Sequence, residues 1–130
     1  MAVTVTLQSI EDKIAGVYYL NVGTALAAVN HTVISQRQEI NPNHAVELGL
    51  VTICIIVLEN GYKVEGTSAC VDPALYDEEK GRKAAYENAF EKIWQLEGYL
   101  LKESLHEAKQ TQAQLADSSL DDCEGGACKI

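Results

Sequence analysis

The 130-residue sequence has no long apolar run and no excess of basic residues, and each absence excludes a class of protein. No stretch approaches the roughly 18 apolar residues that a membrane-spanning helix needs, so we expect no membrane partner. The formal net charge is −9, from 19 acidic and 10 basic residues. Binding to DNA, RNA or an anionic membrane relies on a basic surface and is therefore not expected. A small anionic ligand in a locally positive pocket is compatible with this charge.

Targeting and disulfide signals are also missing. The N-terminal MAVTVTLQSIEDK lacks the basic start and apolar run of a signal peptide. The cysteines are Cys54 and Cys70, in apolar strand-like sequence, and Cys123 and Cys128, in a polar tail. This arrangement is no disulfide framework and favours an intracellular, reducing setting. No further ligand pair accompanies the two tail cysteines, so we expect free thiols there, with neither a metal site nor a cofactor.

Catalytic motifs are sparse. The three histidines, His31, His44 and His106, lie in different segments, and none adjoins a cysteine or serine in a known nucleophile motif. The sequence contains no phosphate-binding glycine loop of the P-loop or dinucleotide-binding type. These absences favour a binding or assembly protein over an enzyme.

The hydrophobic pattern predicts an α+β fold, in which a small antiparallel sheet packs against a long C-terminal helix. SIEDKIAG predicts a short N-terminal helix with Ser9 as its N-cap and Gly16 at its end, and VYYLNV predicts a strand. Residues 50–70 predict a β-hairpin with Asn60 and Gly61 in a type I′ turn. Its first strand is apolar on both faces, which predicts that both are covered. The segment HTVIS remains open to being an edge strand, and INPNH is typical of a loop.

The C-terminal half predicts a long helix from about Asp77 to about Lys109. Asp72 and Pro73 form a helix-start signal just before it, with Asp as the cap and Pro at the first position. The residues that follow the helix are small, polar and acidic, which is typical of disorder. The sequence therefore predicts one α+β ligand-binding domain over residues 1–109 and a disordered acidic tail over residues 110–130.

A helical wheel places Arg82 within the apolar stripe of the long helix. The stripe consists of Ala85, Tyr86, Ala89, Ile93, Leu96 and Leu100. Arginine is not buried without a partner, so Arg82 must meet an anion or pair with Glu78 one turn earlier. A second stripe includes Gly81 and Asn88, where a backbone or a flat ligand could approach, although close helix packing and a satisfied polar side chain are equally simple explanations. The apolar surface is wide for a helix on one sheet and indicates a subunit interface.

Seven short motifs in a fixed order resemble a family of small phage proteins. They are Asn60-Gly61, Ser68-Ala69-Cys70, Tyr76-Asp77, Gly81-Arg82-Lys83, Glu87-Asn88-Ala89, Lys92-Ile93-Trp94 and Leu96-Glu97-Gly98-Tyr99. The resemblance covers about half of the chain and carries little of the first 48 residues or the tail. Most members of that family have no assigned role. The motifs are similar to those of the first type of Thoeris anti-defence protein, which the family looks to include.

The resemblance implies a sponge for immune signals. Proteins of this type bind the cyclic ADP-ribose isomers that bacterial TIR enzymes make and hold them without cleavage, and some also capture cyclic oligonucleotides. They are dimers that can assemble into hexamers, with ligands at subunit interfaces. By resemblance, this chain would form a homodimer or hexamer in the cytoplasm of the infected bacterial host.

The same resemblance implies a ligand site at the start of the long helix. The candidate ligand-binding residues are Arg82, Asn88, Tyr76, Thr67, Ser68 and Lys83. Arg82 beside the helix N-terminus suits a diphosphate, and Asn88 offers the donor and acceptor that suit an adenine edge or ribose hydroxyls. Tyr76 could stack on the base, and Thr67 and Ser68 could donate to phosphate. The alternative is a small phage assembly or interaction protein with no small-molecule ligand.

Overall fold

The computed structural model describes residues 4–123, with side chains described for residues 4–116. In chain order the elements are α1 (Leu7–Glu11), β1 (Ile14–Asn21), α2 (Val22–Thr32), α3 (Ala45–Leu48), β2 (Val51–Leu58), β3 (Lys63–Ala69) and α4 (Glu78–Cys123). Short 3₁₀ turns lie at Ile34–Gln36, Pro42–His44 and Pro73–Leu75. The chain divides into two units, Thr6–Gln95 and Met1–Val5 with Leu96–Ile130. The first unit holds the sheet and the clefts described below, and the described part of the second is mainly the continuation of α4.

The three strands form one antiparallel sheet in the order β1-β2-β3. The β-hairpin predicted from residues 50–70 is confirmed, because β2 and β3 pair from Val51 opposite Ala69 to Val57 opposite Lys63. β1 pairs along the other side of β2, with an irregularity between Ile14 and Gly16. The predicted fold class, a small antiparallel sheet against a long C-terminal helix with a short N-terminal helix, is therefore correct.

The hairpin turn differs from the predicted type I′ turn. Gly61 has a φ of +88°, whereas no residue other than glycine has a positive φ among the described residues, so Asn60 does not adopt the second positive φ that type I′ needs. The Gly61 amide donates to the carbonyl of Leu58, and the Leu58 amide donates to that of Tyr62. These bonds close a three-residue loop in which Gly61 takes the left-handed position. Glycine is required at that one position only.

The core lies between one face of the sheet and α4. Side chains of β2 alternate, and its buried face carries Thr52, Cys54, Ile56 and Leu58. Helix α4 contributes Ala85, Ala89, Phe90 and Ile93, and α1 contributes Ile10. The opposite face of β2 is only half-buried, and Tyr18 beside it on β1 is 63% exposed. The sequence predicted that both faces of β2 are covered. The structure covers the face toward α4 fully and the opposite face only in part.

Gly66 on β3 lets the backbone of α4 contact the sheet directly. A methyl group at Gly66 would overlap the Ala85 carbonyl oxygen and the Ala89 amide nitrogen, and would lie 2.8 Å from the Ala89 Cα. Only a strand residue without a side chain fits against this part of the helix. The small residues Ala85 and Ala89 of α4 therefore pack against a strand of the same chain.

Three sequence-based expectations for the N-terminal half are wrong. Helix α1 ends at Glu11, and Gly16, its expected end, lies within β1. The N-cap of α1 is Thr6, and Ser9 lies at the third helical position, where it completes a reciprocal capping box with Thr6. The segment HTVIS is not a strand, because α2 extends to Thr32 and a 3₁₀ turn follows from Ile34. The alanines of α2 and its Asn21 cap outweigh the β-branched residues at its end.

Helix α4 continues beyond its predicted end near Lys109 to Cys123. No glycine or proline occurs between Gly98 and Gly125, and the alanine, glutamine and leucine residues of this stretch are good helix formers. Polar composition alone led to the expectation of disorder from residue 110. Residues 124–130, including Cys128, lie outside the described residues, and the division at residue 109 stays a prediction.

Replacement of Gly66 by alanine tests the helix–sheet contact. Because the overlapping atoms belong to the α4 backbone, they cannot rotate away, and we expect Gly66→Ala to lower the free energy of unfolding by about 1–3 kcal/mol. The measurement is urea denaturation followed by circular dichroism.

Gly98→Ala is the matched control for that variant. A methyl group at Gly98 would have no neighbour within 4 Å, so higher helix propensity should raise the free energy of unfolding by up to about 1 kcal/mol. Equal effects of the two substitutions would show that the backbone contact at Gly66 does not constrain the fold.

Candidate functional site

A row of three polar side chains crosses the core face of the sheet below the first turns of α4. Asn21, Thr52 and Ser68 are direct partners in the strand register. Ser68 Oγ donates a 2.7 Å hydrogen bond to the carbonyl oxygen of Gly81 in α4. A β-carbon added to Gly81 would lie 2.9 Å from Thr52 Oγ1. Polar groups therefore meet the beginning of the helix where an apolar core would otherwise continue.

The Asn21 side chain joins β1 to two neighbouring segments. Its Nδ2 atom donates to the Gly49 carbonyl at 2.8 Å and to the Tyr76 hydroxyl at 3.0 Å. Its Oδ1 atom accepts from the Thr24 amide at 3.0 Å and so caps α2. Both amide N–H groups are used within the fold, so Asn21 acts as a scaffold that fixes the position of Tyr76.

Tyr76 lies between two clefts. The larger, which we call the α2 cleft, has a volume of about 530 Å³. Its polar side is formed by Asn21, Thr24, Tyr76 and Glu78, and its apolar side by Ala27, Ile40, Ala45 and Leu48. The smaller, which we call the β3 cleft, has a volume of about 240 Å³ and includes Ser68, Cys70, Tyr76, Asp77 and Lys80. The α2 cleft has the size of a typical small-molecule site.

Arg82 pairs with Glu78, as one of the two sequence-based readings predicted. Its Nη2 atom lies 3.0 Å from Glu78 Oε1, and both side chains are at least half exposed. The guanidinium carbon also lies 5.4 Å from the centre of the Tyr19 ring, a cation–π geometry. An exposed pair of this kind contributes less than about 1 kcal/mol, so an anionic ligand could replace Glu78 at low cost.

Tyr19 presents a neutral ring to Arg82. Burial raises the pKa of its hydroxyl above the usual value of 10.0, and Cys54 adds to that rise while Arg82 opposes it. The phenol therefore stays protonated near neutral pH. Arg82 is held by the ring face and by Glu78 together, which orients the guanidinium on the β1 side of α4.

Asn88 and Thr67 meet on the opposite side of α4. Asn88 Oδ1 accepts a 3.0 Å hydrogen bond from the Thr67 amide of β3. Thr67 belongs to an edge strand, so this bond satisfies an outward-facing backbone donor. Asn88 Nδ2 has no hydrogen-bond partner within residues 4–116 and remains available to a ligand.

The six predicted site residues do not line one cleft. Tyr76 contacts both clefts, Ser68 contacts only the β3 cleft, and Arg82, Asn88, Thr67 and Lys83 contact neither. Arg82 lies over Tyr19 of β1, whereas Asn88 binds β3 at the other edge of the sheet. Lys83 is exposed on α4. Their common role in binding stays a prediction.

The N-terminus of α4 carries its own anion. Asp77 Oδ1 accepts from the amides of Glu79 and Lys80 at 2.9 and 3.3 Å. The Asp77 carbonyl accepts from the Gly81 amide at 2.9 Å. The helix-terminal donors that a diphosphate would use are therefore occupied by this carboxylate, and Arg82 is left as the more accessible anion-binding group.

A family model matches most of the chain. The model described as the phage protein (N4 Gp49/phage Sf6 gene 66) family matches residues 5–105. The chain belongs to this family. The matched range contains every described element from α1 to β3 and the first 28 residues of α4, Glu78 to residue 105. No curated protein and no solved structure shows a significant similarity to the chain.

The described residues of this phage protein contain neither a membrane-spanning helix nor a metal-binding cluster. No described helix is both long and apolar enough to cross a membrane. Among the residues that the structure describes, no group of three or more His, Cys, Asp and Glu side chains could hold a metal ion. Cys54 and Cys70 are free, and the side chains of Cys123 and Cys128 lie outside the described ones.

Sequence reasoning missed the residues of the α2 cleft other than Tyr76. Asn21 and Thr24 come from β1 and α2, the region where the hydrophobic pattern was ambiguous. Gly23 and Gly49 meet there so closely that a β-carbon on Gly23 would lie 2.8 Å from the Gly49 backbone. Asn21, an N-cap residue type that stands shortly before an alanine-rich run, is a helix-start signal that could have located α2, but nothing local predicts the approach of Gly23 to Gly49.

Thr52 is the buried polar residue whose hydrogen bonding is incomplete. It is 2% exposed, and no residue that the structure describes supplies a hydrogen-bond partner to its Oγ1 atom. A buried hydroxyl without a partner is unfavourable, so we expect the isosteric Thr52→Val to raise the free energy of unfolding by about 1 kcal/mol. Denaturation in urea measures the change.

Thr52→Ser is the complementary variant at the same position. It keeps the unpartnered hydroxyl and removes a buried methyl group, so it should lower the free energy of unfolding by about 1 kcal/mol. If valine destabilised the protein as much as serine does, the hydroxyl would have a partner in solution, such as a bound water.

Proposed function

We propose that this phage protein is a sponge that binds a cyclic ADP-ribose isomer and holds it without cleavage. In this role it would act in the cytoplasm of the infected bacterium and keep the signal from its defence effector. Family membership supports the phage origin, and the motif resemblance from Asn60 to Tyr99 supports the Thoeris anti-defence type. Cyclic oligonucleotides are further ligands that the resemblance suggests.

The observation that carries the proposal is the α2 cleft, whose lining residue Glu78 forms an ion pair with Arg82. Glu78 lines the cleft, and its Oε1 atom lies 3.0 Å from Arg82 Nη2. The guanidinium is therefore connected to the cleft through the carboxylate of Glu78. The cavity of about 530 Å³ is in the range for small-molecule ligands. A ligand that carries both a base and a diphosphate matches an apolar cleft with an aromatic wall and a cation beside it.

The net charge of the chain is no obstacle to this binding. Arg82 neutralises a phosphate by direct, bidentate hydrogen bonds, whose strength depends on contact and desolvation. Long-range attraction is weak for an acidic protein, and it affects the association rate more than the lifetime of the complex. The acidic surface therefore predicts slow association, whereas the lifetime of the complex depends on the close contacts at the site.

Retention without cleavage agrees with the cleft chemistry. Among the described residues that line the α2 cleft, Glu78 is the one carboxylate, and neither histidine nor cysteine accompanies it. General acid–base catalysis of phosphate or glycosidic hydrolysis commonly uses two titratable groups in reach of the bond. The titratable groups in the described lining of the cleft are thus one carboxylate and one tyrosine, without the pair of carboxylates that glycoside hydrolysis commonly uses.

A site between subunits would explain the positions of the other candidate residues. Arg82 and Asn88 lie on opposite sides of α4, so one copy cannot direct both at a compact ligand. In a homodimer or hexamer, Arg82 of one copy and Asn88 Nδ2 of another could reach the same molecule. This arrangement also gives a role to the exposed Lys83 and to Thr67 near the subunit surface.

Arg82→Ala tests the ligand contact. Loss of a charged hydrogen-bond donor to the diphosphate should weaken capture of a cyclic ADP-ribose isomer by roughly ten- to a hundredfold. Isothermal titration calorimetry on the purified full chain measures the dissociation constant, and mass spectrometry of ligand released by heating shows whether it stays intact.

Lys92→Ala provides the charge-matched control, because Lys92 is exposed on the same helix and lines neither cleft. It should bind as the unaltered protein does. Absence of binding by the unaltered protein at micromolar ligand would refute the sponge, as would recovery of a hydrolysed product. Equal binding by the Arg82 variant would refute the site only.

One observation favours the assembly alternative. The outer face of the sheet exposes Tyr18 and Leu20, which lie beside Ile55 and Ile53 of β2 in the register. Neighbouring exposed apolar side chains of this kind commonly mark a protein contact. A purified complex with another phage protein through this face, together with no nucleotide binding, would support an assembly role in place of the sponge.

A further inference from the structure

We propose that Glu78 selects the base of the captured nucleotide, favouring a base with an exocyclic amine, such as adenine, over one with a carbonyl oxygen at that position. The inference rests on the proposed function and names the base specificity of the α2 cleft. It gives Glu78 a role toward the ligand beyond its ion pair with Arg82.

Charge in the α2 cleft comes from Glu78. The other residues that line the cleft are glycine, alanine, leucine, isoleucine, threonine, asparagine and tyrosine, all of them neutral. A ligand group placed against this carboxylate has to be a hydrogen-bond donor or a cation, because an ionised carboxylate can only accept. The diphosphate must therefore lie toward Arg82, and the part of the ligand that meets Glu78 must carry N–H groups.

The remaining polar groups of the cleft are largely committed within the fold. Asn21 Nδ2 donates one hydrogen to the Gly49 carbonyl and the other to the Tyr76 hydroxyl, and Asn21 Oδ1 accepts from the Thr24 amide. Glu78 Oε1 binds Arg82, while its second carboxylate oxygen has no hydrogen-bond partner among the described residues. That oxygen is the charged acceptor left for a ligand, and the 66% exposure of the side chain lets it turn toward the cleft.

The chemistry of the two base types differs at one atom. Adenine presents an amino group at C6, which donates to a carboxylate, whereas hypoxanthine presents a carbonyl oxygen there. Two acceptors that face each other in a partly enclosed cleft repel and leave each without a hydrogen bond. A ligand with both an amine and a diphosphate could satisfy Glu78 and Arg82 at once, which compensates for separating their exposed ion pair.

The test compares two probes, a cyclic ADP-ribose isomer and its counterpart with hypoxanthine in place of adenine. Calorimetry gives the dissociation constant of each for the full chain. We expect the unaltered protein to prefer the adenine form by at least about tenfold, the value of one hydrogen bond to a charged group. In Glu78→Gln the preference should fall toward one, because a rotated amide can donate to the carbonyl as well as accept from the amine.

Glu79→Gln is the matched control. It removes the same charge from the adjacent exposed residue, which lines neither cleft, and should keep the adenine preference. The diphosphate affinity of Glu78→Gln should stay the same or increase, because Arg82 loses its competing carboxylate. If Glu78→Gln keeps or gains affinity for the adenine probe and loses its preference over the hypoxanthine probe, the variant is folded and its effect is on recognition of the base.

Each outcome decides between the two proposals. Equal binding of both probes by the unaltered protein, or an unchanged preference in Glu78→Gln, would overturn base selection by Glu78 and leave the sponge intact. If neither probe bound the unaltered protein, the sponge would be refuted and base selection with it. Loss of preference in Glu78→Gln and in Glu79→Gln alike would assign the effect to net charge and also overturn the role of Glu78.

Discussion

The contact between the backbone of α4 and the backbone of β3 at Gly66 sets the geometry of this protein. Because Gly66 has no side chain, Ala85 and Ala89 of the helix reach the strand directly. That depth brings Ser68 Oγ within 2.7 Å of the Gly81 carbonyl and the Thr67 amide within 3.0 Å of Asn88. It also leaves Arg82 on the far side, over the ring of Tyr19. The helix position therefore decides which polar groups remain available to a ligand.

Residues that resemble a binding motif can carry structural duties at the same time. Asn88 uses its oxygen to satisfy the edge of β3 and keeps its nitrogen, and Ser68 uses its hydroxyl proton on α4. Asp77 occupies the helix-terminal amides. Arg82 pairs with Glu78 through an ion pair whose two side chains are 50% and 66% exposed, and such a pair contributes little to stability. This difference between the groups is why the proposed ligand contacts centre on Arg82, Glu78 and the α2 cleft.

The position of Arg82 in an acidic protein illustrates how local charge and net charge act separately. Solvent and salt screen the remote carboxylates, since the Debye length is about 8 Å at physiological ionic strength. The contact partners of a bound phosphate are not screened in the same way. A chain of net charge −9 can therefore hold an anion where geometry supplies a directed guanidinium.

Local sequence determined the hairpin, the start of α4 and its core stripe as far as Ile93. The last two residues of the predicted stripe, Leu96 and Leu100, are 42% and 54% exposed, so the core does not extend to them. Alternating apolar residues, one glycine with a positive φ and a capped helix start act over a few residues, so their effect does not depend on the rest of the fold. The pairing of Arg82 with Glu78 follows from the same helical spacing. The end of α4 was missed because polar composition was given more weight than the absence of a helix breaker.

Tertiary structure alone decided the α2 cleft and the separation of Arg82 from Asn88. The cleft exists because Asn21 ties β1 to Gly49 and Tyr76, which are 28 and 55 residues away along the chain. The separation exists because the two side chains leave α4 toward different edges of the sheet. Contacts between residues so distant in sequence leave no periodic signal, because they depend on how elements pack and not on how each one forms.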